Sequence, residues 1–160
     1  MNKSNKLFGE IFFWLLWPAL YIYLRKSTRS RIILYTEDQV LLVSNWLGPG
    51  QYTLPGGGMR PGEDPREAAA REIKEELGID IDPKALISIE PIFLATDKGL
   101  KYKCYSYSLK VNKSIELSRQ KFEIAELKWV NISDVLNKYR LNKMARQLIT
   151  TWLDHNHLLD

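Results

Sequence analysis

Apolar positions along this chain follow three different spacings. Residues 11–24, IFFWLLWPALYIYL, form a continuous apolar run with no charged residue. From Arg31 onward the apolar residues come in short runs broken by polar turns, the pattern of β-strands in a compact domain. This pattern predicts strands over Arg31–Tyr35 and Val40–Ser44, joined as a hairpin around Glu37-Asp38. Further strands are expected over Gln51–Leu54, near Leu86–Phe93, over Tyr102–Val111 and over Leu127–Val130. Two stretches instead repeat at helical spacing. Leu141, Met144, Ala145, Leu148, Ile149 and Trp152 share one face, and Ala69, Ala70, Ile73 and Leu77 share another. Ser133-Asp134 has the residue types that cap a short helix, and the mostly polar Asn112–Lys121 is expected to be an exposed connection.

The helix around Ile73 is marked at both ends. Asp64 supplies an N-cap acceptor, Pro65 suits the first helical position, and Glu67 places a carboxylate in the first turn. Gly78 can adopt the left-handed conformation that ends a helix. At roughly 100° per residue, Glu72, Glu75 and Glu76 fall on an arc beside the apolar one. Like charges at this spacing destabilise a bare helix by a few tenths of a kcal/mol per pair, so the three together call for a counter-charge. Arg66, Arg71 and Lys74 could supply it on a solvated face. A hard divalent cation could do so in a phosphate-handling site, because such ions take carboxylate oxygens, substrate oxygens and water. Before the helix, Leu54-Pro55-Gly56-Gly57-Gly58 is a loop whose glycines allow close backbone approach.

The spacing favours the cation. From Gly57 to Ile79 the chain reads GGMRPGEDPREAAAREIKEELGI, which is G-x5-E-x7-R-E-U-x-E-E-x-G-U with every fixed position filled (U, bulky aliphatic). This resembles the Nudix box, the signature of hydrolases that cleave nucleoside diphosphates linked to another moiety. The resemblance is close over the box, looser over residues 31 to about 152, and absent from the first thirty. It implies the Nudix fold: an α/β architecture with a mixed β-sheet sandwiched between helices, here preceded by an N-terminal hydrophobic helix. It also implies Mg²⁺- or Mn²⁺-dependent hydrolysis of a phosphoanhydride in a nucleoside diphosphate derivative or triphosphate. Carried over residue by residue, Glu75 and Glu76 match the principal metal ligands, Glu72 joins them, and Gly56 would ligate through its carbonyl. Arg71 would orient Glu72, and Glu63 would support the site. The family's further glutamate maps to Glu123 or Glu126 ahead of Trp129-Val130, with Glu123 preferred for its loop-like position. One glutamate acts as general base, and the family differs on which.

Substrate markers outside the box are not matched. The proline associated with ADP-ribose hydrolases is expected about fifteen residues past the box, whereas Pro91 stands twelve past Ile79. Thr96 stands where dinucleoside polyphosphate hydrolases tend to carry a tyrosine. Trp46, Tyr52, Phe93 and Tyr105 are candidates to stack a base, each with core or loop packing as the alternative.

Composition bounds the rest. At 160 residues the chain is expected to hold one domain with an extension: a segment 1–30, a catalytic domain 31–153 and a tail 154–160. The single cysteine, Cys104, excludes an internal disulfide and is expected to be a packed thiol. Both histidines, His155 and His157, lie in the tail, which argues against a histidine-based centre. Six of the 23 basic residues lie in the first 31, opposed only by Glu10, so the basic surplus belongs to that segment and no nucleic-acid binding is expected. The apolar run, at residues 7–24 with one carboxylate and Pro18, is marginal for a span of about 20 residues but rich in interfacial Trp and Tyr. It is expected to hold the domain at the cytoplasmic face of the membrane, with Arg25, Lys26, Arg29 and Arg31 at the lipid surface. The alternative is a soluble cytoplasmic protein whose segment packs on the domain or at a homodimer interface. Two other functional classes remain open at this point: a catalytically silent nucleotide-binding module and a membrane-tethered adaptor.

Overall fold

The computed structural model describes residues 28–46, 50–89, 93–97, 100–112, 115, 117, 118 and 124–156. The apolar segment 7–24, Glu123 and His157 lie outside these residues. Among the described residues no helix is long and apolar enough to cross a membrane.

Among the described residues seven strands form one mixed sheet: β1 (Thr28–Tyr35), β2 (Gln39–Asn45), β3 (Tyr52–Thr53), β4 (Ile87–Ser88), β5 (Phe93–Asp97), β6 (Leu100–Lys110) and β7 (Ile124–Asn131). Two 13-residue helices among the described residues, α1 (Pro65–Leu77) and α2 (Lys143–His155), cover opposite faces. β1 runs parallel to β6 from Thr28↔Lys103 to Tyr35↔Lys110, and the other pairings are antiparallel. This is the expected α/β sandwich. The alternation along β1 sorts its side chains: Ile32 and Leu34 meet Ala69, Ile73 and Leu77 of α1, while Ile33 meets Leu148, Ile149 and Trp152 of α2.

The predicted hairpin forms, but it splays. β1 and β2 pair only at Tyr35↔Val40, next to a turn held by Thr36 N–H donating to the Gln39 carbonyl at 2.8 Å. Farther along, residues 52–59 wedge into the gap. β3 pairs with Val43 and Ser44 of β2. The next residues then pair with β1: the amides of Ile32 and Ser30 donate to the carbonyls of Pro55 and Gly57, each at 3.0 Å, and Met59 N–H donates to Thr28 at 2.9 Å. The glycine-rich stretch is thereby part of the sheet instead of a free loop.

Several expectations shift. The strand expected at Gln51–Leu54 shortens to Tyr52–Thr53, because Leu54 and Pro55 turn from β2 to β1. β1 begins at Thr28, and Arg31 is buried within it instead of facing outward, on the same sheet face as Ile33 of the α2-side core. In α1 it is Ala68, not Ala70, that is buried with Ala69, Ile73 and Leu77. Ser133 and Asp134 lie inside a 3-10 turn, Ile132–Asp134, and the following helix is capped by Asn142, whose side chain accepts from Ala145 N–H at 2.8 Å. Cys104 is buried in the α2-side core, where burial pushes its thiol pKa up.

Candidate active site

The helix ends form as their residue types dictate. Asp64 accepts from the amides of Arg66 at 2.8 Å and Glu67 at 3.3 Å, and Gly78 closes the helix at φ 73° with its N–H on the Lys74 carbonyl. α1 lies against the Gly56-Gly57 backbone where that backbone is bonded to β1. Gly56 adopts φ 123°, and a Cβ there would stand 2.4 Å from the Ser30 carbonyl oxygen, so only glycine fits. A Cβ on Gly57 would stand 2.4 Å from the Glu72 carboxylate, which shows how closely that carboxylate lies against the loop. Gly56 N–H donates to Glu76 Oε2 at 2.8 Å. Glu72 and Glu76 are therefore buried, at 5% and 9% exposure, although helical spacing alone placed them on an arc outside the packed one.

Arg71 is the hub of the charged cluster. Its Nε and Nη2 donate to the two oxygens of Glu63 at 2.7 and 3.0 Å. Nη1 donates to Glu72 Oε1 at 2.8 Å and to Glu75 Oε1 at 3.2 Å, and Nη2 also reaches the Gly58 carbonyl at 2.9 Å. These bonds raise the Arg71 pKa further, with Glu63 contributing most. In return Arg71, assisted by the Arg60 N–H at 2.7 Å, holds the Glu63 carboxyl down at about 2. Arg60 was not singled out from sequence; the signal was the turn Arg60-Pro61-Gly62-Glu63, with Gly62 at φ 76°. Its guanidinium also approaches Glu75 at 3.4 Å.

The structure thus brings Gly56, Glu63, Arg71, Glu72, Glu75 and Glu76 to one corner of the sheet. Their carboxylates are not pointed at a common centre: Glu63, Glu72 and Glu75 turn to Arg71, and Glu76 turns to the Gly56 amide. Among the described residues, accordingly, no three His, Cys, Asp or Glu side chains are grouped to hold a metal ion. The donor chemistry nevertheless fits a hard divalent cation. Two buried carboxylates lie against adjacent glycines of one backbone segment, which offers only oxygen donors. Glu126 goes elsewhere. It stands on β7 opposite Ser44 and accepts from the Tyr52 hydroxyl at 2.7 Å, a bond that helps push the tyrosine to about 12. Tyr52 also packs edge-on against Tyr139, while Trp46 is exposed.

The architecture and this corner together define a protein class. The family model described as the NUDIX domain matches residues 26–152, and the chain belongs to that family. It is 35% identical over 108 residues to diphosphoinositol polyphosphate phosphohydrolase 2 of Mus musculus, covering 67% of this chain and 58% of the relative. It is 32% identical over 108 residues to diphosphoinositol polyphosphate phosphohydrolase 3-beta of Homo sapiens, covering 67% of this chain and 63% of that one. The match thus spans about three fifths of the length of these relatives. Among solved structures, the MutT NUDIX hydrolase from Burkholderia pseudomallei superposes with a TM-score of 0.69 at 21% identity, over 79% of this chain and 97% of that one. A C. elegans Ap4A hydrolase in a binary complex gives 0.67 at 22% identity, over 82% and 98%. Both structural likenesses bear on the fold alone.

Proposed function

We propose that this protein is a Mg²⁺- or Mn²⁺-dependent hydrolase of a phosphoanhydride bond in a nucleoside diphosphate derivative or nucleoside triphosphate, releasing a nucleotide. The observation that carries this reading is the corner where Glu72 and Glu76 lie buried against Gly56-Gly57 while Arg71 holds the neighbouring carboxylates. Glu72, Glu75, Glu76 and the Gly56 carbonyl would hold the cation, with Glu123 as the further ligand. Bound there, it would supply positive charge to the phosphate oxygens and lower the pKa of a coordinated water.

The chain's own groups supply the rest. Arg71 fixes the direction of Glu72 by a charge-assisted hydrogen bond and takes its own orientation from the two-point contact with Glu63. A box glutamate accepts a proton from the attacking water as the new oxygen–phosphorus bond forms. The anhydride oxygen leaves with the bonding electrons of the broken phosphorus–oxygen bond. The glycine backbone, bonded to β1 on one side and to Glu76 on the other, keeps these carboxylates in register with the loop. Names of relatives at 32–35% identity support phosphoanhydride chemistry and leave the organic part of the substrate open.

The test is a chromatographic screen for nucleotide and phosphorylated products, with the full chain incubated with nucleoside triphosphates, ADP-ribose, nucleotide sugars, dinucleotides and diphosphoinositol polyphosphates, with Mg²⁺ or Mn²⁺ and with EDTA. Turnover of at least one compound that stops in EDTA is expected; equal rates in EDTA would overturn the metal assignment. The proposal extends to location, with residues 7–24 holding the domain at the cytoplasmic face of the membrane. Fractionation checks it: the full chain should pellet with membranes, and recovery as a soluble monomer would remove the anchor.

A further inference from the structure

Among the described residues Arg31 is the one buried cation, at 8% exposure. Its Nε and Nη1 are both buried without a hydrogen-bond partner, which leaves three N–H donors unmatched, and no ion pair among the described residues involves it. A guanidinium cannot shed its charge at any ordinary pH, so burial without an acceptor is a standing penalty unless an anion completes the site. Folded domains rarely keep such a group for packing alone.

Its position gives the group a use. Arg31 stands opposite Ser106 on β6, on the sheet face that carries Ile33 and Cys104. Arg29, two residues earlier and opposite Cys104, adds a second positive charge to that face. The α2-side core reaches β1 at Ile33, so the two arginines occupy the approach from the start of the strand. Across the ladder the Arg31 backbone abuts Gly56: a Cβ on Gly56 would lie 3.1 Å from the Arg31 Cα. The N–H of that same glycine holds Glu76 on the other side. A single glycine therefore stands between Glu76 of the carboxylate corner and the backbone of the residue whose side chain carries the unmatched guanidinium.

We propose that Arg31 binds a phosphoryl group of the substrate other than the two joined by the cleaved anhydride. The substrate class is then a polyphosphorylated compound, with either a phosphate chain longer than two or a phosphorylated second moiety. This rests on the hydrolase reading above for its meaning but not for its measurement. A base or sugar alone would leave the guanidinium as unmatched as before, whereas a phosphoryl oxygen accepts its donors and neutralises its charge.

The binding arm uses the full chain in EDTA with inorganic tripolyphosphate as the probe and thermal unfolding as the readout. Tripolyphosphate should raise the wild-type midpoint by several degrees, and Arg31→Met, which keeps the length and removes the charge, should lose that shift. If Arg31→Met does not fold, Arg31→Gln carries the same comparison. The kinetic arm compares adenosine tetraphosphate with ADP-ribose: the variant should raise KM at least ~10-fold more for the tetraphosphate, the scale of one lost charge-assisted contact. A protein that turns over nothing yet shows the Arg31-dependent shift refutes the hydrolase reading and keeps the anion site. An active protein with no shift and equal KM changes for both compounds overturns the proposal.

Discussion

α1 and α2 are both 13 residues long and press on opposite faces of one sheet, yet their inner faces differ in kind. α2 buries Met144, Ala145, Leu148, Ile149, Trp152 and Leu153, all apolar. α1 buries Ala68, Ala69, Ile73 and Leu77 together with Glu72 and Glu76. The alanines bring the α1 backbone near the sheet, and the glutamates between the apolar residues meet a glycine segment that carries no side chains to exclude them. One helix thus contributes apolar area to stability. The other gives up a third of its buried positions to carboxylates that must be hydrogen-bonded to be tolerated. The two helices divide these tasks, and β1 packs against both of them.

The hardest way to break this comparison is to remove the centre of the α2 face. Trp152 is 2% exposed and its ring lies 4.8 Å from that of Tyr35. Trp152→Ala should destabilise the fold by about 3–5 kcal/mol, read as a shift of the urea midpoint, while the folded fraction keeps its turnover number. Trp152→Phe should lose less, because the indole Nε1 it removes is buried without a partner. A turnover loss larger than the unfolded fraction explains would show that the α2 helix does more than add apolar area.

The converse substitution is on α1. Glu76→Gln is nearly isosteric and keeps an oxygen for the Gly56 amide, so the urea midpoint should move little. Turnover should fall by about 10²-fold or more, because an amide in place of a carboxylate ligand weakens the hold on the cation. Unchanged turnover would remove Glu76 from the chemistry.

Much of this division was legible in the chain. Asp64, Pro65 and Gly78 fixed the ends of α1 to the residue, because caps depend on local side chains. Cys104 and the α2 face followed from periodicity. What escaped was long-range backbone pairing. The wedge of residues 52–59 between β1 and β2 rests on main-chain bonds to Ser30 and Ile32, which no side-chain pattern encodes. Burial of Glu72 and Glu76 follows from that wedge, and so escaped with it. Arg31 looked like one more basic residue flanking an apolar run, because alternation alone cannot tell an inward-facing arginine from an outward-facing one. Glu126 was the weaker choice beside Glu123, and it turned out to serve the Tyr52 hydroxyl.

The charged cluster should also give α1 a pH dependence that α2 lacks. The Arg71 bonds hold Glu63 down at about 2, against 4.5 for a free glutamate. A carboxyl lowered on folding adds stability that is present above its ordinary pKa and disappears as the pH falls towards the folded value. Wild type should therefore lose about 1–2 kcal/mol from this group between pH 4.5 and 2, after allowance for solvent at the partly exposed pair. Glu63→Gln, which has nothing to titrate there, should show a flatter stability profile over that window. Parallel profiles for the two proteins would mean that Arg71 does not hold Glu63 in solution.

The smallest expected effect concerns the ends of the two helices, where the comparison should vanish. Asp64 caps α1 with bonds from Arg66 and Glu67, and Asn142 caps α2 with a bond from Ala145 at 2.8 Å. Both side chains satisfy amides that would otherwise be unpaired, so Asp64→Ala and Asn142→Ala should each cost about 1 kcal/mol. Asp64 carries a charge and Asn142 does not, and a negative charge at a helix N-terminus adds a few tenths of a kcal/mol. Asp64→Ala should then be the costlier by that margin at low salt, and the gap should close as salt is raised. Urea midpoints measured at two ionic strengths decide the matter, provided the slope of each transition stays constant. A cap difference well above this margin and insensitive to salt would mean that the first turn of α1 is held by more than its cap. The natural suspect is Glu63, which precedes Asp64 directly and is already bonded to Arg71 eight residues along the chain.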